Sequence, residues 1–291
     1  MSLRQKIKSN KLVGPLAIKA SAFYNYYIRI LRHYRFYLKN KRNLDKNIEL
    51  KNKYAGKRCF ILGCGPSINT QDLTPLKDEL CISVSNFFVH KDFKTISPEF
   101  HLFAESHTPI TDKQLFDLFT GAEEKLSPDQ NVFVGIRDNI FVRDNKLFSK
   151  NKIYNYTIPC SVNYKTITKI DFTKQLPPIM TVAHIALYLG IYLGCKEIYL
   201  LGCDHDTILH LGESRHFYKE NESALTRGGY NEWHHTDWGA HFRAYSLLWA
   251  IYKRVKAYAE KENIKIVNST PKSLLDIFPR RSLEEVLKAK K

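Results

Sequence analysis

The sequence predicts an α/β fold: a Rossmann-like, doubly wound and mainly parallel sheet with helices on both faces. Short apolar runs of strand length alternate along the chain with helical patterns. The first of these runs ends in a glycine-rich turn, Gly63-Cys64-Gly65-Pro66-Ser67, a common connection between a buried strand and a helix. With 291 residues, 44% of them hydrophobic, the chain can bury the core of one large domain.

The N-terminal part is predicted to be a basic helical arm, residues 1–55, ahead of an enzyme-like domain, residues 56–291. Residues 1–58 contain 16 Lys or Arg and only 2 Asp or Glu, whereas the remainder is nearly neutral. Within 16–38, aromatic and aliphatic residues recur at helical spacing with arginines between them. Such a helix lies on an anionic membrane surface, packs on the body, or forms a homo-oligomer. Nucleic acid is not expected as a partner, because no recognised motif accompanies the charge.

The domain is predicted to contain six strands, a buried helix over 181–194 and a long helix over 238–261. Between these helices, residues 203–237 are polar and rich in histidine, without a clear period, which is typical of a lid or acceptor loop. Residues 40–56 have the composition of a polar connection. The predicted strands are 58–63, 80–85, 99–104, 131–135, 197–202 and 264–268.

Six cysteines show neither a C-x-x-C pair nor zinc spacing, so we expect free thiols in a reducing cytosol. The N-terminus lacks the pattern of a signal peptide, and no segment has the apolar length of a membrane span. The expected location is therefore cytoplasmic, with the arm allowing a peripheral position on the inner face of the membrane.

Polar residues and glycines follow several predicted strands, and the carboxyl ends of parallel strands meet at one edge of the sheet. The glycine turn there is either a phosphate cradle for a nucleotide or an ordinary strand–helix turn, and five residues alone leave these alternatives open. Because these polar residues and glycines are expected at the same edge of one sheet, a nucleotide site is the favoured interpretation. Its expected residues are Gly63, Cys64, Gly65, Pro66, Ser67, Asn86, Glu105 and Thr181.

The fifth predicted strand is followed by Asp204-His205-Asp206. An Asp-x-Asp in this position is typical of divalent-metal sites in nucleotide-sugar transferases. Alternatively, Asp204 orders the loop or binds substrate without a metal. We favour the metal-free interpretation and expect no cofactor.

Histidines are concentrated between His205 and His241. A neutral imidazole is well suited to accept a proton near neutral pH, although any single histidine is more often structural. His235, just before the late helix, is the first choice for a general base, and its neighbour His234 fits equally well by spacing. His216 is the second choice.

Three segments resemble bacterial sialyltransferases of glycosyltransferase family 42, and also the wider group related to motility accessory factors and the hydroxymethylpterin diphosphokinase-like domain. The first is the glycine turn within 60–68, and the second is the helix–strand passage 186–204. The third comprises His235 with its following helix, the strand 264–268 and the segment 270–275. The resemblance covers roughly residues 57–280.

This resemblance implies inverting, metal-independent transfer of a sialic-acid-like nonulosonate from a CMP-activated donor to a glycan or lipid-linked glycan acceptor. It implies that the glycine turn, Asn86 and Thr181 hold the nucleotide, and that His235 or His234 is the base. Tyr218 or Tyr230 would supply the hydroxyl that stabilises the leaving phosphate. The chain departs from the pattern at Cys64 and at His205-Asp206. The alternatives are an ATP-dependent pterin diphosphokinase-like enzyme and a non-catalytic nucleotide-sugar-binding protein.

Overall fold

The computed structural model describes residues 14–107, 110–159, 166–210, 215–218 and 237–289. The chain divides into two compact units, Met1–Arg42 and Asn43–Lys291. In the larger unit, the described residues form one sheet of seven parallel strands, which confirms the doubly wound α/β prediction. The strands are β1 (Arg58–Leu62), β2 (Leu80–Val84), β3 (Phe100–Leu102), β4 (Asn131–Gly135), β5 (Lys152–Tyr156), β6 (Glu197–Leu201) and β7 (Lys265–Asn268).

The strand order is β5-β4-β3-β2-β1-β6-β7. The chain therefore builds the sheet outward from β1 to β5, then crosses back and adds β6 on the other side of β1. Phe60 in β1 pairs with Cys81 in β2 and with Tyr199 in β6. This reversal between β1 and β6 is a topological switch point, where a crevice opens beyond the carboxyl ends of the strands.

The three helices that the sequence predicts are present, one of them longer than expected, and the described residues contain four further α-helices that the sequence analysis did not predict. The helix expected over 16–38 continues to Asp45, and a 3-10 helix, Lys46–Leu50, follows it, so the expected polar connection over 40–56 is shorter than predicted. No helix in the described ranges combines the length and hydropathy of a bilayer crossing. The helices are α1 (Gly14–Asp45), α2 (Phe93–Ile96), α3 (Asp112–Glu123), α4 (Asp138–Asp144), α5 (Val182–Tyr192), α6 (Trp238–Lys261) and α7 (Leu283–Lys288).

Side chains on successive positions of β1 enter different cores, because they point alternately to the two faces of the sheet. Cys59 and Ile61 belong to the core that contains α5 and the buried part of α6. Phe60 and Leu62 belong to the core that contains the apolar side of α3. Because helices cover both faces of the sheet, side chains on both sides of the central strands are buried, and the sequences of these strands are continuous apolar runs.

The strand β5 is absent from the sequence prediction. Its sequence, Lys-Ile-Tyr-Asn-Tyr, has two polar side chains among five residues at the edge of the sheet, a weaker signal than the apolar runs of the central strands. Asn47 holds the edge in place: its Nδ2 donates to the carbonyl of Asn155 (2.7 Å) and to that of Phe172 (2.8 Å).

Candidate functional site

A cavity of about 320 Å³ opens at the switch point, beyond the carboxyl ends of β1, β2 and β6. The turn after β1, the end of β2, the first residues of α5 and the loop after β6 all line it. One side of α6 closes it through Ala244, Tyr245 and Leu248. Its polar side chains are Ser85, Thr181, Asp204, His205, Asp206, Thr207, Arg215, His216, Tyr218 and Tyr245.

The glycines after β1 are required by a close approach of two backbones. Gly63 N donates to the carbonyl of Leu201 and Gly65 N to that of Gly202, both at 2.8 Å. A Cβ atom on Gly63 would lie 2.5 Å from the Gly202 oxygen, and one on Gly65 would lie 1.8 Å from Asp204 Oδ2. The turn after β1 therefore packs directly against the turn after β6, and no side chain fits between them.

Asp204 occupies the start of the short helix that follows the glycine turn, a 3-10 helix over Pro66–Thr70. Ser67 N donates to Asp204 Oδ1 (3.1 Å), and Ser67 Oγ donates to Asp204 Oδ2 (2.8 Å). Burial raises the pKa of Asp204, although the hydrogen bonds from Ser67 act in the opposite direction. At the Ser67 amide, where the sequence predicts a bound phosphate, the structure has a carboxylate of the protein itself.

Cys64, between the two glycines, is a half-buried residue whose thiol is engaged with the protein backbone. Its Sγ donates to the carbonyl of Val84 at 3.3 Å, and burial raises its pKa to about 12. A thiol with such a pKa stays protonated at neutral pH and is a poor nucleophile. Cys64 lines the cavity, where the sequence predicts the nucleotide. Its thiol can act there only as a weak hydrogen-bond donor, and its contact with a nucleotide stays a prediction.

Residues 215–218 dock on the glycine turn through Phe217. The Phe217 amide donates to the carbonyl of Cys64 (3.0 Å), and Asn69 Nδ2 donates to the carbonyl of Phe217 (3.0 Å). The Phe217 ring packs edge-on against Phe87 and His90, with centroid distances of 5.9 and 5.1 Å. This anchoring brings the residues on either side of Phe217 to the cavity.

The two flanking residues, His216 and Tyr218, are both predicted site residues, and both line the cavity. Their rings are stacked, with centroids 5.0 Å apart and planes inclined by 4°. Arg215 contributes a positive charge, and its guanidinium pairs with Asp206 Oδ2 at 2.6 Å. The lining thus combines a cation, an imidazole and a phenol within four consecutive residues.

A second histidine in the lining, His205, was not among the predicted site residues. It adopts a left-handed backbone conformation (φ +50°), and its Nε2 lies 2.7 Å from the hydroxyl of Tyr252 in α6. Burial lowers the pKa of His205 to about 4, so the ring is neutral at pH 7. The signal in the sequence was its position directly after a buried strand, beside Asp204.

A further buried histidine lies behind this pair. The ring of His184 packs against that of Tyr252, with centroids 4.1 Å apart. The amide of Met180 donates to His184 Nδ1 at 3.1 Å, and burial holds the pKa of His184 well below its ordinary value. Because Met180 precedes α5, this bond fixes the backbone where the helix begins.

Thr181 is the N-cap of α5 and lines the cavity, as predicted. Its side chain makes no capping hydrogen bond to the helix, and the next two residues, Val182 and Ala183, line the cavity as well. The N-terminus of a helix carries a partial positive charge and N–H groups without intrahelical partners. The N-terminus of α5 therefore faces the cavity, whereas the start of the 3-10 helix Pro66–Thr70 is capped by Asp204.

Asn86 and Glu105 are brought near the same edge of the sheet but do not line the cavity. Asn86 is buried in the 3-10 helix Ser85–Val89, and its neighbour Ser85 faces the cavity instead. Glu105 follows β3, where burial raises its pKa to about 7 and Arg137 Nε lies 3.9 Å from its Oε1. Their expected contacts with a donor nucleotide remain predictions.

Three other predicted residues, His234, His235 and Tyr230, lie outside the described residues. As for metal ligands, the described residues contain no group of three or more His, Cys, Asp or Glu side chains arranged to hold an ion. Asp204 accepts hydrogen bonds from Ser67 on both oxygens, and Asp206 is paired with Arg215. The two carboxylates of the Asp-x-Asp segment are thus engaged with different protein groups.

A comparison with protein families gives one result for residues 35–208, which match the model described as "6-hydroxymethylpterin diphosphokinase MptE-like". The match covers more than half of the chain and includes the strands from β1 to β6, the glycine turn and Asp204. No curated protein matches the chain.

Proposed function

The chain belongs to the 6-hydroxymethylpterin diphosphokinase MptE-like family, and on that premise we propose that it is a glycosyltransferase. Its donor is a nucleotide-activated sugar, for which we propose a CMP-linked, sialic-acid-like nonulosonate. The acceptor is a hydroxyl of a bacterial surface glycan, lipid-linked or free, and transfer occurs in the cytoplasm. The observation that carries this proposal is the cavity between β1 and β6, which lies at the switch point and holds a histidine, a phenol and an arginine.

Anion recognition is the first step that the cavity supports. The start of α5, with Thr181 as its N-cap, presents N–H groups and a positive dipole end, and Arg215 adds a guanidinium group nearby in the lining, one N–H of which already pairs with Asp206. A phosphate bound there would not compete with Asp204, which occupies the other helix start. We therefore propose that the donor phosphate binds at Thr181 and Arg215, with the glycine turn forming the adjacent wall.

In the transfer step, the acceptor oxygen attacks the anomeric carbon, and the bond from that carbon to the donor phosphate breaks with inversion. The acceptor proton passes to a neutral histidine, and the electron pair of the broken bond stays on the phosphate. We propose His235 as this base, with His234 and the cavity residue His216 as the rivals. The hydroxyl of Tyr218 donates to the departing phosphate and stabilises its charge.

The family description favours one second candidate, transfer of a diphosphate from ATP to a hydroxymethylpterin. That reaction requires a divalent cation between the phosphates, and Asp204 with Asp206 would be its ligands. Metal binding there would need both carboxylates to leave their present partners, Ser67 and Arg215. This requirement makes the diphosphokinase the less favoured candidate.

Calorimetric titration of the full chain with CMP, UDP, GDP and ATP, each with and without Mg²⁺ or Mn²⁺, separates these candidates. We expect CMP to bind without metal, and Thr181→Val to weaken this binding about tenfold through loss of one hydrogen bond to a charged group. The exposed substitution Thr95→Val is the matched control. Tight binding of UDP or GDP only with Mn²⁺ would contradict the donor assignment, and ATP binding that requires Mg²⁺ would favour the diphosphokinase.

A further inference from the structure

The arm helix α1 carries an exposed stripe of large apolar side chains on one face. The members are four, four, three and four residues apart, a spacing that keeps them on the same side of an α-helix. Phe23 is 64% exposed and Leu31 is 56% exposed, and the grouping of several such side chains on one face, rather than either exposure alone, is the informative feature. We call this the aromatic stripe; it consists of Phe23, Tyr27, Leu31, Tyr34 and Leu38.

A row of basic side chains runs beside the aromatic stripe. Its members are three, four and three residues apart, and at 3.6 residues per turn they lie about a quarter of a turn from the stripe. All four are exposed, and no Asp or Glu occurs in the sequence before Asp45. We call this the basic row; it consists of Arg32, Arg35, Lys39 and Arg42.

We propose that α1 binds the surface of an anionic lipid bilayer, with the aromatic stripe in the interfacial region and the basic row on the lipid phosphates. Tyrosines account for two of the five stripe residues, and their rings combine an apolar body with a polar tip suited to the headgroup level. Long Lys and Arg side chains reach outward from a helix whose apolar face is buried. A helix that lies in the interface needs neither the length nor the hydropathy of a membrane span.

A second copy of the chain is the competing occupant of the stripe. Two such helices packed along their stripes would bring two basic rows close together, and residues 23–44 hold no acidic side chain to pair with them. An anionic membrane supplies the missing negative charge, and the attraction falls off with salt. Charge complementarity therefore selects the lipid surface over self-association.

Co-sedimentation of the full chain with vesicles tests this proposal. The probes are vesicles of phosphatidylcholine alone and vesicles that also contain phosphatidylglycerol, each at low and high salt. We expect strong binding only to phosphatidylglycerol vesicles at low salt. The substitutions Arg32→Gln, Arg35→Gln and Lys39→Gln together should lower the partition coefficient about 100-fold, since each basic side chain near the surface contributes about fivefold.

Two further variants keep the result interpretable. Phe23→Ala with Leu31→Ala should lower binding at least about tenfold while leaving the charge unchanged. Lys77→Gln, Lys94→Gln and Lys125→Gln remove the same charge from exposed positions of the larger unit and should leave binding unchanged. Equal binding by this control and by the basic-row variant would overturn the proposal. Concentration-dependent dimerisation in sedimentation velocity that Leu31→Ala abolishes, without vesicle binding, would identify the stripe as a self-association surface instead.

Discussion

Asp204 caps Ser67: the carboxylate that follows β6 accepts hydrogen bonds from both the amide and the hydroxyl of the last residue of the glycine turn. These two hydrogen bonds link the segments that follow β1 and β6 at the switch point, one through the backbone of Ser67 and the other through its side chain. Under the proposed function, this cap leaves the start of α5 for the donor phosphate, because Asp204 already occupies the other helix start at this edge.

The cap should appear as an energetic coupling. Ser67→Ala removes a hydrogen bond to a buried carboxylate, and we expect the free energy of unfolding to fall by about 1.5–3 kcal/mol. Asp204→Ala should cost at least as much, and the double variant should cost less than the sum of the two. Urea unfolding of the four proteins measures this cycle. Thr95→Ala, at an exposed position, is the control. If the free-energy changes of the two single variants add up to that of the double variant within about 0.3 kcal/mol, the cap is contradicted.

His205 should remain neutral far below the ordinary titration range of a histidine. Its burial holds the pKa at about 4, so its ring signals should not shift between pH 7 and about 5. Titration followed by NMR of the imidazole, with His205→Gln to assign the signals, measures this directly. In Tyr252→Phe the ring loses its hydrogen-bond partner, and its signals at pH 7 should move. A midpoint near 6.5 in the wild-type chain would contradict the buried environment.

Glu105 should make stability depend on pH. Burial raises its pKa from about 4.5 to about 7, so the folded chain binds this proton more tightly than the unfolded chain does. Stability due to this group is therefore present below about pH 4.5 and is lost as pH rises to about 7. Glu105→Gln should raise the free energy of unfolding at pH 8 by about 1–3 kcal/mol relative to wild type.

That advantage of Glu105→Gln should be much smaller near pH 5, where the carboxyl of the folded wild-type chain is almost fully protonated. Urea unfolding at pH 5 and pH 8 tests both statements. Glu124→Gln, at an exposed position, removes the same charge from the surface and should show no such difference between the two pH values. A Glu105→Gln curve that parallels wild type at all pH values would disprove the buried carboxyl.

Catalysis should be sensitive to the hydroxyl of Tyr218. If that hydroxyl stabilises the departing phosphate, Tyr218→Phe should lower kcat about 100-fold and change the donor KM by less than about threefold. Tyr258→Phe removes a phenol outside the cavity lining and should leave both constants unchanged. A Tyr218→Phe enzyme with normal kcat would remove this residue from the mechanism.

The sequence predicted those parts of the molecule in which a local pattern and the tertiary structure agree. The apolar runs form the central strands, α6 begins at Trp238 as expected, and Thr181 lies at the start of α5, in its N-cap position. β5 was missed because Lys152 and Asn155 interrupt its apolar side chains, so its sequence is neither a continuous apolar run nor a regular alternation.

The interior of the site was less predictable, because it depends on contacts between distant segments. Asp204 reaches Ser67 across 137 positions of sequence, and no spacing rule indicates that its carboxylate would cap that turn. The role of His205 depends on Tyr252, which lies on a different element. Phe217 likewise needs its partner rings to bring His216 and Tyr218 to the cavity.

The backbone contact between the turns at Gly63 and Gly202 limits how this site can be re-engineered. A substitution that enlarges either turn meets main-chain atoms of the other, which cannot rotate out of the way as a side chain can. Substitution of Gly63 or Gly202 while the other turn is held fixed is therefore expected to destabilise the fold. Under the proposed function, changes of donor preference should be sought in α5 and in residues 215–218, or in both turns at once.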